Sequence, residues 1–368
     1  MASLKALQET LYESELLDRR VPLRTRYERA VQDGKVRDIL EIETPQITDM
    51  TGYLGIENGG RVYAVRMDLN NGVDNHKKPV VAGLILRGVL RGKIPKPLVD
   101  TFIDGGNYNS AKAVKHYAER FGMRGTYVMS RLFPRHILEL LESDNFMVIQ
   151  APKRYENARE REFYEYLFEL MKDREFSRNK FCLWHAKYGG ETMYPLGRQI
   201  AAELAEMPDY VVSCLGAGTT LEGLQIAVQD HFKEQGAAQT SQIVIAEHEL
   251  SPLFAKFLRI RTLNKSPAEG TPIEDYYYRQ EGLPHIVIGP HYDEINPLLS
   301  KGSIERIESV VQYSETDWKR TQQLLGMQGL SMGNSSAANL NVSAKLASEG
   351  RKVLTIVFEP FREFYRQR

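Results

Sequence analysis

Along most of the chain, short apolar runs rich in Val, Ile and Tyr alternate with longer stretches in which apolar residues recur every three or four positions. The first pattern suits buried strands and the second amphipathic helices. Strands are predicted at 61–69, 99–103, 125–130, 146–151, 181–185, 210–215, 243–247, 285–288 and 353–358. Helices are predicted near 79–91, 110–121, 133–143, 155–173, 195–206, 219–234, 316–326 and 335–349. Such alternation predicts an α/β fold, with parallel or mostly parallel sheets covered by helices on both faces. Residues 1–43 read differently. Charges of both signs surround Leu4, Leu7, Leu11, Leu16 and Leu17, which predicts a solvated helical extension that caps the body or reaches a partner subunit. The stretch 262–303 holds Pro267, Pro272, Pro284, Pro290 and Pro297 and is predicted to consist of long loops.

Composition narrows the class. At 368 residues, against a prior of roughly 150 per domain, the chain forms two domains or one large one. Lys plus Arg and Asp plus Glu number 48 each, so the formal net charge is zero. That speaks against a general nucleic-acid binder. No apolar run approaches the roughly 18 residues of a membrane span. The first twenty residues carry acids throughout and no apolar core, unlike a secretory or transit peptide. Cys182 and Cys214 sit in apolar stretches and read as small buried hydrophobes rather than a disulfide. The expectation is a cytoplasmic enzyme with a small-molecule substrate and no nucleic-acid, membrane or metal partner.

In open α/β sheets ligands bind beyond the carboxyl ends of strands, so four strand-to-helix turns carry the candidate chemistry. Cys214-Leu215-Gly216-Ala217-Gly218-Thr219-Thr220 opens a helix. Small residues and free N–H groups there suit a phosphate, or simply the packing of helix on strand. It has neither Walker nor dinucleotide spacing. Asp104-Gly105-Gly106-Asn107-Tyr108-Asn109-Ser110 offers permissive glycines and an amide that both donates and accepts, with Asn109 or Ser110 as an alternative plain cap. Asn75-His76-Lys77-Lys78-Pro79 places two lysines ahead of a helix, where the dipole favours a neutral amine. Paired lysines also read as a solvated pair. Gly329-Leu330-Ser331-Met332-Gly333 is a small-residue turn with a hydroxyl.

In this order the features resemble the cysteine synthase and cystathionine β-synthase family of fold-type II pyridoxal-phosphate enzymes. Glu43-Thr44-Pro45-Gln46-Ile47 is similar to the family's Thr-Pro-Leu opening, and Val62 to Asp68 to the strand before its lysine loop. Asn75-His76-Lys77 stands where the family has Ser-x-Lys. Asn107 follows Lys77 by 30 positions, the family's interval, which favours Lys77 over Lys78. Gly106-Asn107 resembles the Ser-Gly-Asn-Thr-Gly loop, Gly216 to Thr220 the phosphate cup, Ala246-Glu247 the Val-Glu-Pro motif, and Gly329 to Gly333 the Gly-Ile-Ser-Ser-Gly turn. The resemblance covers about residues 44–368.

The resemblance implies two three-layer α/β/α domains like the tryptophan synthase β-subunit. A larger cofactor-binding domain would comprise 44–69 and 186–368, and a smaller mobile one 70–185. It implies pyridoxal 5'-phosphate held by Lys77 as a Schiff base, with the same lysine moving the α-proton. Asn107 would meet the ring oxygen, and Gly216, Ala217, Gly218, Thr219 and Thr220 the phosphate. Ser331 would meet the pyridine nitrogen. Asp104, Gly105, Gly106 and Tyr108 would take the substrate. The implied reaction is β-elimination or β-replacement on a serine- or cysteine-like amino acid through an aminoacrylate, in a homodimer. An ammonia-lyase of the same fold and a non-catalytic homologue stay open. Asp104 departs from the family's hydroxyl residues and would repel a carboxylate if it pointed inward, so either an atypical substrate or a carboxylate bound mainly by backbone N–H groups is expected. His185 and Tyr188 stand near the pocket without an assigned role.

Overall fold

The computed structural model describes residues 4–130, 133–152, 162–255 and 306–362. In chain order the strands are β1 (Gln46–Asp49), β2 (Arg61–Arg66), β3 (Thr101–Gly106), β4 (Arg124–Met129), β5 (Phe146–Gln150), β6 (Lys180–Cys182), β7 (Tyr210–Ser213), β8 (Gln242–His248), β9 (Ile307–Tyr313) and β10 (Lys352–Val357). The helices used below are α1 (Leu4–Glu13), α2 (Leu23–Gln32), α3 (Gly34–Leu40), α4 (Lys77–Leu90), α5 (Tyr108–Phe121), α6 (Arg135–Glu139), α7 (Glu162–Lys172), α8 (Arg174–Ser177), α9 (His185–Glu203), α10 (Thr219–Glu234), α11 (Glu315–Met327) and α12 (Asn334–Ala347). The chain divides into two compact units. Unit 1 is Met1–Thr44 with Asn70–Leu196, and unit 2 is Pro45–Leu69 with Gly197–Arg368. The last crossing, between Leu196 and Gly197, falls within α9, which runs unbroken through Pro195.

Unit 1 holds a four-stranded parallel sheet in the order β5-β4-β3-β6. All six residues of β3 are buried, as expected of a central strand covered on both faces. From α7, Phe163 and Leu167 pack with Ile103, Val128 and Cys182 of the sheet. The N-terminal helices belong to this unit and turn an apolar stripe inward, while their charged residues, Arg26 apart, stay at least partly exposed. Leu4, Leu7, Leu11 and Leu16 are buried. Arg26, also buried, donates from Nη1 to the Leu90 carbonyl at 2.8 Å, and the Tyr27 hydroxyl donates to the Thr192 carbonyl at 3.1 Å. The mixed charge of 1–43 therefore borders an apolar stripe that covers α4.

Unit 2 holds a six-stranded sheet in the order β1-β2-β10-β7-β8-β9. Only β1 is antiparallel to its neighbour. The chain is thus α/β with mostly parallel sheets. β9, at the sheet edge, has a half-exposed middle, which is why its pattern did not stand out from the loops before it. The predicted strand at 285–288 lies outside the described residues. Both cysteines are buried and unbridged. Among the described residues no helix is long and apolar enough to cross a membrane.

Candidate active site

Lys77 opens α4 from a loop held by amides. Asn75, fully buried, accepts from the Lys77 N–H through Oδ1 at 2.8 Å and donates through Nδ2 to the Asn109 carbonyl at 3.3 Å. Pro79, in the first turn, gives up an N–H that has no intrahelical partner anyway. The Lys77 side chain is buried, and its Nζ makes no hydrogen bond or ion pair among the described residues. Burial lowers its pKa to about 8, against the opposing pull of the Asp104 carboxylate. Lys78 is placed otherwise: its Nζ donates to the Asn71 carbonyl and pairs with Glu43 at 3.4 Å and Glu41 at 3.7 Å. Both lysines are buried, and Lys77 is the one whose amine has no partner among the described residues.

The end of β3 shapes the second part. Gly106 has φ +153°, and a Cβ there would lie 2.8 Å from Tyr127 Oη and 3.0 Å from both His185 Cε1 and Ser110 Oγ. Only glycine fits. Asn107 caps α5, its Oδ1 accepting from the Ser110 N–H at 3.3 Å, while its Nδ2 has no partner among the described residues. Capping therefore uses the acceptor and leaves the donor available. Asp104 is fully buried. Its Oδ1 accepts from the Gly105 N–H at 2.9 Å, and its Oδ2 faces the His185 N–H at 3.2 Å and Nδ1 at 3.1 Å. Tyr108 is buried in the first turn of α5, and Asn109 beside it keeps a buried Oδ1 with no hydrogen-bond partner. Tyr188 lies under the Arg87 guanidinium, 3.6 Å from its ring centre.

In unit 2, β7 runs into the turn that ends at Gly218, which has φ +75° and serves as N-cap of α10. The first N–H groups of a helix lack intrahelical acceptors. The hydroxyls of Thr219 and Thr220 are buried beside them with no hydrogen-bond partner among the described residues. Two orphaned hydroxyls at a helix N-terminus form a donor set that fits a phosphate, so these residues suit the group the sequence implies. The Cys214 N–H at the start of the turn donates to Asn339 Oδ1 at 2.6 Å, and its Sγ lies 3.9 Å from the Ser335 carbonyl. The N-terminus of α12 thus abuts the turn. Ser335 is buried there, whereas Ser331 is exposed on the loop before it. Ser336 is taken up by the backbone, accepting from the Phe358 N–H at 2.9 Å.

Sequence reasoning left His185 without a role and passed over Ser335 and Tyr164, whose hydroxyl lies 3.2 Å from His185 Nε2. Only Ser335 had a local signal, as one of two serines just inside a predicted helix. The partners of His185 are distant in sequence.

A family model described as pyridoxal-phosphate dependent enzyme matches residues 50–359. No curated protein matches the chain. Solved structures that match include an O-acetylserine-dependent cystathionine β-synthase from Helicobacter pylori, at 18% identity and TM-score 0.70 over 90% of this chain and 97% of that one. Another is a hydrogen sulfide-producing enzyme from Fusobacterium nucleatum, at 15% identity and TM-score 0.66 over 89% and 97%. A third is a cysteine synthase from Entamoeba histolytica, at 19% identity and TM-score 0.65 over 90% of each chain. At these identities the likeness is one of fold.

Proposed function

Because this chain belongs to the pyridoxal-phosphate-dependent enzymes, we propose that it acts at the β-carbon of a serine- or cysteine-like amino acid, eliminating or replacing the β-substituent. The observation that carries this reading is the buried Lys77 amine, without a hydrogen-bond partner among the described residues and with its pKa lowered to about 8. When bound, pyridoxal phosphate stabilises the electron pair left on an amino acid's Cα after a bond there breaks.

The chain's own residues divide the work. Lys77 would hold the aldehyde carbon of the cofactor, and its Nζ is the base that would take the Cα proton. Asn107 donates from Nδ2 to the ring oxygen. Thr219, Thr220 and the first N–H groups of α10 hold the phosphate, with Gly216, Ala217 and Gly218 leaving room for it. For the ring nitrogen we assign Ser335 in place of Ser331, because Ser335 is buried against the phosphate turn. A neutral hydroxyl there does not force a proton onto the ring, which suits chemistry at Cβ over transamination. The substrate carboxylate is taken by N–H groups of the loop at Gly106 to Tyr108. Asp104 does not oppose it, since both carboxylate oxygens already accept hydrogen bonds.

The test is spectroscopic first. The purified protein, given pyridoxal phosphate, should show a visible absorption band that borohydride abolishes, with the label on the Lys77 peptide. Amino acids are then screened for products. Ammonia and a keto acid mark elimination, and a new amino acid formed only with an added nucleophile marks replacement. No band would leave a shared fold without its chemistry. The homodimer expected from the family is checked by light scattering.

A further inference from the structure

Trp184 has φ +56° without being glycine, an unfavourable backbone that persists only where its surroundings hold it. Its effect is to present both the N–H and the imidazole of the next residue, His185, to one carboxylate. Asp104 Oδ2 lies 3.2 Å from that N–H and 3.1 Å from Nδ1, with both side chains buried. On the other side of the ring, Nε2 lies 3.2 Å from the Tyr164 hydroxyl. A carboxylate on Nδ1–H determines what Nε2 can exchange. The result is a continuous chain from carboxylate to imidazole to phenol, joining the end of β3, the start of α9 and the half-buried face of α7.

This chain backs directly onto the loop assigned to the substrate. The space vacated by a side chain at Gly106 is bounded by His185 Cε1, the atom next to Nε2, and at Gly105 by Phe163, the neighbour of Tyr164. A buried ionisable pair is a weak source of stability, often matched by apolar residues of the same size. Packing alone therefore does not account for it. The other titratable groups around the pair are Lys77 of α4, Tyr127 of β4 and Cys182 of β6. The Asp104 charge raises the Lys77 pKa and adds to the burial that pushes the Cys182 thiol up.

Resting on the function proposed above, we propose that Asp104, His185 and Tyr164 form a proton relay for the substrate's β-substituent, and that this substituent leaves as water, an alcohol or a thiol. Lys77 Nζ takes the Cα proton, and the pair left on Cα closes the bond to Cβ. The Cβ–X pair departs on X, which takes the Tyr164 proton. Tyr164 Oη in turn takes the proton from His185 Nε2, leaving a neutral ring whose Nδ1–H stays on Asp104. Addition of a nucleophile H–Nu runs the same transfers backwards. His185 and Asp104 are positioning residues, and Tyr164 is the member that meets the substituent.

The experiment compares serine and S-alkylcysteine, whose leaving groups need a proton, with β-chloroalanine, whose chloride does not. Tyr164→Phe and His185→Gln should slow the first pair by about a hundredfold and β-chloroalanine by less than about fivefold. The visible band and the Lys77 label should persist in both variants. The loss should also remove one limb of the kcat/KM pH profile. In protein labelled with 15N-histidine, Tyr164→Phe should move the His185 Nε2 resonance, identified by its loss in His185→Gln, while Nδ1 keeps its proton. Equal losses on all substrates, or an unmoved Nε2 resonance, would overturn the relay while leaving the cofactor reading intact. So would a wild-type protein that turns over β-chloroalanine alone. A wild-type protein with no band and no label on Lys77 overturns both readings.

Discussion

Lys78 Nζ lies 3.4 Å from a carboxylate oxygen of Glu43, across 35 positions of sequence. With Glu41 at 3.7 Å and the Asn71 carbonyl it makes a closed polar nest for a cation that is almost fully buried. Lys77, its neighbour in the chain, has no such nest. One turn of helix thus holds, side by side, a paired lysine and one without a partner among the described residues, and the same substitution should act on them with opposite sign.

Lys78→Met leaves Glu43 and Glu41 without their buried cation. Both glutamates are about one-third exposed, which softens the loss expected for a broken buried pair to about 1–3 kcal/mol. Urea unfolding of the apoprotein measures it. An unchanged midpoint would mean the nest adds nothing.

Lys77→Met should stabilise the apoprotein. Below pH 8 its protonated amine sits in surroundings that disfavour it. Moving the pKa from 10.5 to about 8 corresponds to a penalty on the order of 3 kcal/mol. The unfolded chain binds the extra proton between pH 8 and 10.5, so wild-type stability rises with pH across that window. The advantage of Lys77→Met should be full at pH 7 and shrink toward pH 10.5. Capture of pyridoxal phosphate by the wild-type apoprotein, followed as growth of the visible band, should quicken with pH and reach half its plateau rate near 8.

Thr219→Val and Thr220→Val each remove a buried hydroxyl that has no hydrogen-bond partner among the described residues. The apoprotein should keep or slightly gain stability, since an unsatisfied polar group is lost. Cofactor affinity should fall about tenfold per hydroxyl, the equivalent of about 1.4 kcal/mol. Thermal unfolding with and without pyridoxal phosphate separates the two effects.

Ser335→Ala should shift the visible band and slow turnover, whereas Ser331→Ala, at an exposed position, should do neither. The reverse pattern would restore Ser331 to the ring nitrogen.

Gly106→Ala must place a methyl group 2.8 Å from Tyr127 Oη on a backbone with φ +153°. Destabilisation of about 1–3 kcal/mol is expected from overpacking and strain. Turnover should fall further than stability does, because His185 and Ser110 are displaced with it.

What could be read in advance follows from how local each signal is. The turn from β7 into α10 was legible because glycines, threonines and a helix start lie within seven consecutive residues. The Asn107 loop was legible too, although its first three residues prove to finish β3 rather than begin a turn. The pairing of Asp104 with His185 was not. It joins residues 81 positions apart, and Gly189, Gly190 and Pro195 hid the first half of α9, so His185 looked like the end of a strand. The charge on Asp104 was visible, but not the direction in which it points. For 1–43 the leucine spacing was right and its surroundings were misjudged, because charges flank a stripe that α4 covers.

The burial of α1 to α3 against unit 1 bears on where this protein may be shortened. The family match begins at residue 50, and a chain trimmed there looks complete on paper. It would lack Glu41 and Glu43, the counter-charges of Lys78, together with the Arg26 and Tyr27 tethers to α4 and α9. Lys78 would then be a buried cation that keeps only the Asn71 carbonyl of these partners. What reads in the sequence as a solvated extension is, in the folded molecule, part of the foundation beneath α4.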